Sequence, residues 1–301
     1  MAISINDIHD YLKLTFTDLN TIDLNKKREN FHNSVLENTR SMDNYFLVRD
    51  DNGTPVVASW IFKIEAGKYA FQSPRFLVEN SSSLKLLFQQ IKDRFKDLKG
   101  RELICRTIHN DFHESLQEAM LSFGFRVTGE RVEYKTALNS LTSSVIEESP
   151  IKWCSPLKDK TMKIDEVATL MEEVSEGDPD FDPKTDNAKE CIESYLSEDG
   201  LYVELDCIQV GYLKDSKDPC CFLIAQVESS SGWSRITYMG IHPKFRGKGL
   251  GVWVQRHGIE LLKKQGGTEY HGGTNMNNVG MQKVFEKNSC TIFRKLTEWK
   301  L

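Results

Sequence analysis

No run of the chain approaches the ~20 apolar residues that a membrane helix needs. Its opening, MAISINDIHDYLKL, places Asp7 and Asp10 where a signal peptide would need an uninterrupted apolar stretch. Proline and glycine are scarce, 8 and 19 among 301 residues, which excludes collagen-like and extensively disordered chains. An excess of positive charge is also missing. The 39 Lys and Arg against 44 Asp and Glu give −5, and neither half is basic, which argues against a dedicated nucleic-acid binder. The 7 cysteines contain no CxxC and no metal-ligand spacing. Cys220 and Cys221 are adjacent, which suits buried strand positions better than a disulfide framework. A cytoplasmic protein with no metal and no membrane association is the expectation.

What is present is an ordinary soluble composition, 39% apolar and 28% charged, in a length that favours two domains or one large one. Leu84, Leu87, Phe88, Ile91, Phe95 and Leu98 fall on one face of a long helix. A short strand over Glu102–Ile108, a helix carrying Leu116, Ala119, Met120 and Phe123, a stop at Gly124 and a strand over Arg126–Lys135 follow. The second half repeats this order: a helix from Leu250, a strand over Glu269–Gly273, a helix with Met281, Val284 and Phe285, and a strand over Cys290–Trp299. The landmark pairs Leu84 and Leu250, Leu116 and Met281, Phe125 and Cys290, and Pro55 and Pro219 all stand about 165 residues apart. A common offset at four landmarks predicts a duplicated α+β domain, each copy a mixed, mostly antiparallel sheet flanked by helices. Leu138–Lys160, rich in Ser and Thr and carrying Pro150 and Pro156, reads as the connection. The expected layout is therefore a first domain over 1–140, a linker over 141–159 and a second domain over 160–301.

One motif carries chemistry. Ile236-Thr-Tyr-Met-Gly-Ile-His-Pro-Lys-Phe-Arg-Gly-Lys-Gly-Leu-Gly251 reads as a strand, a turn, and glycines opening a helix. Glycines let backbone approach a bulky anion and adopt φ > 0. The first helical turn points unsatisfied amides outward, the helix dipole adds positive character, and Arg246 and Lys248 add charge. The spacing fails the Rossmann G-x-G-x-x-G and the Walker A pattern, but fits R-x-x-G-x-G over Arg246–Gly251. On these residues the stretch from Pro219 to Trp299 resembles the acyl-CoA-binding region of the GNAT superfamily of N-acyltransferases. The duplicated layout is similar to tandem-GNAT proteins such as mycothiol synthases.

The resemblance implies that Arg246, Gly247, Lys248, Gly249, Leu250 and Gly251 hold the pyrophosphate of acetyl-CoA, the acyl donor. It implies that Met239, Gly240 and Ile241 pair with the pantetheine arm, and that Asn278 and Phe285 lie on the later helix motif beside it. Phe285 stands where the family's tyrosine returns a proton to the leaving thiolate, and Ser289-Cys290 replaces its Gly-Phe. The first copy has Ser81-Ser82-Ser83 at the place of the cradle and is expected to be a degenerate GNAT-like domain lacking the pyrophosphate loop.

The expected reaction is direct attack by an amine on the thioester, both substrates held together, with a base to take the ammonium proton. The family's usual Glu or His positions hold Arg235 and Thr237, which leaves His271 and Tyr238 as the candidates, with Glu228 and His242 behind them. The acidic segment Ser175–Asp186 is placed to attract a cationic amine, though such loops are more often simply solvated. Its spacing is not that of an EF-hand, and His109 and His113 lack the glutamate of a zinc-protease helix. The reading from another class is a non-catalytic acyl-CoA-binding or sensor protein.

Overall fold

The computed structural model describes residues 4, 7–16, 21–36, 41–65, 68–76, 81–108, 114–140, 148–181, 187–196, 205–227 and 232–301. Two compact units divide the chain, one of residues 1–130 with 296–301 and one of 131–295.

The first unit runs α1 (Ile8–Thr15), α2 (Thr21–Leu36), β1 (Tyr45–Arg49), β2 (Pro55–Glu65), β3 (Lys68–Phe71), β4 (Arg75–Phe76), α3 (Ser81–Asp97), β5 (Glu102–Ile108) and α4 (Glu114–Ser122). Strands β1, β2 and β3 are antiparallel neighbours, and β3 pairs with β5 in parallel over all four of its residues. The periodic face of α3 behaves as its spacing dictates: Leu84, Leu87, Phe88 and Ile91 are buried against Phe71, Leu103 and Phe125. The residues just before α3, 77–80, and both His109 and His113 lie outside the described residues.

The second unit contains β7 (Ile151–Cys154), α5 (Ile164–Ser175), α6 (Ala188–Leu196), β8 (Ile208–Leu213), β9 (Pro219–Val227), β10 (Trp233–Ile241), α7 (Leu250–Lys264), β11 (Glu269–Asn275) and α8 (Val279–Lys287). Strands β7 to β10 are antiparallel, and β10 meets β11 in parallel. Strand β9 is buried on both faces, which explains its unbroken apolar run from Cys220 to Ala225. Helix α5 covers one face through Val167, Leu170, Met171 and Val174, and α7 covers the other through Leu250, Val254, Ile259 and Leu262.

Two strands belong to neither unit alone. β6 (Arg126–Ala137) and β12 (Thr291–Lys300) each cross the boundary. The later part of β6, Arg131–Ala137, is antiparallel to β11. The end of β12, Leu296–Lys300, is antiparallel to β5 in the first unit, where Trp299 is buried and donates its Nε1–H to Thr107 Oγ1 at 3.0 Å. The bounds 1–140 and 160–301 therefore differ from those of the compact units, because the chain's last strand finds its partner and its apolar pocket in the first copy. The stretch expected as linker also contains β7, whose four residues pair with β8.

The burial of Trp299 sets an expectation for stability. Trp299→Ala removes a filled core position and one buried hydrogen bond, a loss of about 3–5 kcal/mol. Hydrogen exchange will show the loss concentrated in β5 and α3; an effect confined to β11 and α8 would contradict the strand's assignment to the first unit.

Candidate acyl-CoA cleft in the second unit

β10 and β11 share only three register pairs, Trp233 with Glu269, Ser234 with Tyr270 and Arg235 with His271. Both strands continue, to Ile241 and Asn275, but no further pairing joins them, so a fork opens after Arg235 and His271. The cause is local. Opposite β9, Ile236 faces Ala225 and Tyr238 faces Ile224, which leaves Thr237 as an extra residue in a β-bulge. Ile236 accordingly packs on the α7 side, whereas Thr237 and Tyr238 both turn to the α5 and α6 side.

Beyond the bulge, His242 N–H donates to the Cys220 carbonyl on β9. Alternation along the strand then turns the peptide groups of Gly240 toward β9, and those of Met239 and Ile241 toward the open edge. Met239 and Ile241 lie on this edge, where the Ile241 carbonyl accepts from Arg246 Nε at 2.9 Å. Gly240 has a different reason for being glycine: a Cβ there would meet Val174 of α5 at 2.7 Å.

The open edge leads to the glycine turn. Gly247 and Gly249 have φ of +77° and +74°, and a Cβ on either would meet nothing within 4 Å. That left-handed backbone is open to a ligand and costly for any side chain. Gly249 is the N-cap of α7 and no side chain caps the helix, so its first amides face outward. Leu250 is buried and anchors the helix start. Gly251 lies against α8, where its Cβ would meet Val284 at 3.0 Å. Lys248 is exposed, its Nζ 5.5 Å from the Phe245 ring centre. Arg246 is not a mobile cation. Its Nη2 donates to the Val174 carbonyl at 2.9 Å, and with the bond to Ile241 this ties the turn to α5 and to the end of β10. The backbone cradle and Lys248 fit a pyrophosphate; Arg246 shapes the cradle.

The other candidates separate. His271 stands at the fork, half-buried between Trp233 and Phe293, its Nε2 2.5 Å from Glu269 Oε1. A carboxylate that accepts the Nε2 proton leaves the Nδ1 lone pair available. Tyr238 is directed away from the open edge. Its hydroxyl lies 2.7 Å from Ser175 Oγ and 3.2 Å from Asp178 Oδ2, and burial pushes its pKa well above the usual tyrosine value. This removes Tyr238 from the candidate bases. Phe285 is core: it is 1% exposed and stacked on Tyr134 with ring centres 4.1 Å apart. Asn278 caps α8, its Oδ1 accepting from Met281 N–H at 3.0 Å. His242 caps the turn after β10, remote from the fork along the strand, and Glu228 lies outside the described residues.

Within the acidic segment Glu176 is exposed, Asp178 and Asp180 are bonded to the fold, and Asp182 and Asp186 lie outside the described residues. Asp180 accepts from Arg131 Nη1, Asn275 N–H, Thr274 Oγ1 and Asn278 Nδ2, at 2.8, 2.9, 2.6 and 3.3 Å. It thereby ties β6, the end of β11 and the start of α8 together. Asp178 bonds Tyr238 on β10, so this loop holds both sides of the fork. Spacing alone gives no signal of these contacts, whose partners lie 49 to 98 residues away. Among the described residues no group of three or more His, Cys, Asp and Glu could hold a metal, and no helix is long and apolar enough to cross a membrane.

Comparison with known proteins agrees with this geometry. Residues 171–289 match the model of the acetyltransferase (GNAT) family. This match lies within the second unit. Among solved structures the chain is similar to a GCN5-related N-acetyltransferase from Sphaerobacter thermophilus, with TM-score 0.70 and 11% identity over 100% of this chain and 94% of that one. It is also similar to a tandem GNAT protein from the clavulanic acid biosynthesis pathway, with TM-score 0.58 and 11% identity over 85% and 82% of the two chains. A GCN5-related N-acetyltransferase from Kribbella flavida aligns at TM-score 0.54 and 8% identity over 81% and 86%. At these identities the likeness is one of fold, and the expected α+β GNAT-like architecture is the one observed. No curated protein matches in a sequence search.

Desolvation, the largest cause, raises the Asp178 pKa despite a hydrogen bond from Asp180 N–H. A raised folded-state value means that the charged form is disfavoured in the fold, so its cost grows as pH rises through the carboxylate range. Asp178→Asn, which keeps an acceptor for Tyr238, is expected to raise Tm at pH 7 and to lose that advantage as pH falls toward 4. A constant difference across this range would contradict the assignment.

Proposed function

We propose that the second unit transfers acetyl from acetyl-CoA to an amine by direct attack in a ternary complex. The observation that carries this reading is the fork: an unpaired edge of β10 that runs from an open glycine cradle to a histidine held by a carboxylate. Gly247, Gly249 and the first amides of α7, with Lys248, are placed to hold the pyrophosphate. The edge groups of Met239 and Ile241 are placed to pair with an extended arm, and Asn278 borders the same end of β11. A bound thioester supplies the electrophilic carbonyl. His271 takes the ammonium proton at Nδ1, with Glu269 fixing the ring through Nε2. Phe285 has no proton to give, so the leaving thiolate takes one from water or from another group.

In the first unit all four residues of β3 pair with β5, and no comparable fork of two continuing strands opens among the described residues. This supports a degenerate GNAT-like domain there, with binding confined to the second unit. The tyrosine-to-phenylalanine exchange favours the second reading, an acyl-CoA sensor in a cytoplasmic setting with no nucleic-acid or membrane partner.

Two measurements separate these readings. Calorimetry on Gly249→Val is expected to show at least a tenfold loss of acetyl-CoA affinity, because the side chain strains a left-handed position and fills the cradle. His271→Gln is expected to bind acetyl-CoA normally and to lose about a hundredfold in kcat with an amine panel. Acetyl-CoA binding with no CoA release for any amine would leave the sensor; unchanged binding in Gly249→Val would sink the cradle assignment.

A further inference from the structure

β11 carries two glycines in succession, Gly272 and Gly273, and they differ in what the fold asks of them. A Cβ on Gly272 would meet Tyr270 Oη at 2.5 Å and the Phe285 ring at 2.7 Å, so packing on the α7 and α8 side requires glycine there. Gly273 faces the other way and is under no such demand. It is exposed, and its φ lies outside the left-handed region. The three atoms nearest to a Cβ there would all belong to β6: Glu133 Cγ at 3.3 Å, the Val132 carbonyl oxygen at 3.4 Å and Glu133 Cα at 3.9 Å. A glycine inside a strand weakens it, and one that neither backbone nor core packing demands marks a place where a ligand approaches the strand closely.

Its position gives that place a use. Alternation along β11 puts His271, Gly273 and Asn275 in one row on the face opposite α7, with about 7 Å between successive members. At one end of the row His271 is held through Nε2 by Glu269. At the other, Asn275 N–H donates to Asp180 Oδ1 at 2.9 Å, so the loop after α5 closes the row. Glu133, the register partner of Gly273, is drawn aside by Arg294 Nε at 2.6 Å. Phe293 borders the histidine end, its ring centre 6.0 Å from that of His271, and is 41% exposed. The row is a trough with a bare peptide floor that begins at the proposed base.

Resting on the acyltransfer reading above, we propose that Gly273 is the floor of the acceptor pocket and that the acceptor is an amine with a flat, ring-sized body, an arylalkylamine. The amine stands at His271 Nδ1, and its ring lies across the bare peptides of Gly273. A ring carried two carbons from the nitrogen spans the ~7 Å from the histidine to this floor. Any side chain at Gly273 would occupy the place of the ring. Short alkylamines reach the histidine but bury nothing against the floor, and so gain no affinity from it.

The test uses the purified full chain, acetyl-CoA, and phenethylamine against ethylamine. Phenethylamine is expected to have kcat/KM at least about tenfold higher, carried mainly by KM. Gly273→Leu is expected to bring that ratio to within about twofold of unity and Gly273→Ala to lower it less, both with acetyl-CoA affinity unchanged. Gly273→Ala is also expected to keep Tm within about 3 °C of the parent, which a glycine required by the fold would not allow. Should Gly273→Leu fail to fold, the ratio in Gly273→Ala decides. A ratio near unity in the parent, a ratio unmoved by the substitutions, a loss of acetyl-CoA affinity in Gly273→Ala, or a larger fall in its Tm would each overturn the proposal. If neither amine is turned over, the acyltransfer reading fails instead. Calorimetric titration of phenethylamine into the chain with acetyl-CoA present then judges the pocket: saturable binding weakened in the Gly273 variants sustains it, and no binding, or binding they leave unchanged, removes it.

Discussion

A single inserted residue organises the second unit. Thr237 has no partner on β9, and the bulge it makes bends β10 away from β11 immediately after Arg235 and His271. Parallel strands that stay paired present nothing but side chains to a ligand. Strands that part present a ladder of peptide groups, and this ladder ends at a helix start kept open by two left-handed glycines. The bulge has a second effect, since it puts Thr237 and Tyr238 on the same face in succession. Tyr238 is thus committed to Ser175 and Asp178.

An opened sheet needs something to replace the lost ladder bonds. On the α5 side Asp178 reaches Tyr238, while Asp180 collects donors from β6, β11 and α8. Arg246 closes the far end by donating to carbonyls of α5 and β10. Beneath β11 a buried set of Gln255, Tyr270 and Asn288 joins α7 to the residues after α8. Each of these groups is polar and satisfied, and each bridges elements that the bulge would otherwise let drift. Buried polar groups with complete partners specify one arrangement of the elements they join, which an apolar contact of equal area does less sharply.

The parts legible in the sequence were those governed by neighbours along the chain. The face of α3, the glycine start of α7 and the order of elements in each half all rest on patterns read along the chain, and all appear in the structure. The parts that were not legible rest on distant partners. Arg246 reads as a phosphate ligand until its carbonyl partners are known, and Asp180 reads as solvated charge until its donors from β6, β11 and α8 are seen. The final strand reads as the end of the second copy because nothing in Thr291–Lys300 records that Trp299 packs beside Thr107. Tyr238 reads as a candidate base for a related reason, since a bulge shifts alternation by one residue without altering the apolar pattern around it.

Charge shows the same distinction at the level of chemistry. A net −5 and an acidic loop suggest a protein that attracts cations, yet two acids of that loop, Asp178 and Asp180, are engaged within the fold. Formal charge counts every side chain equally, whereas a ligand meets only the groups not already engaged by the fold. Asp178 and Asp180 are spent holding the fork, and Glu133 and Glu269 are spent on Arg294 and His271. Register alone then brings Arg235, His271 and Lys135 together from strands that begin at Trp233, Glu269 and Arg126. Which charged groups meet at the fork is therefore set by strand pairing and not by composition.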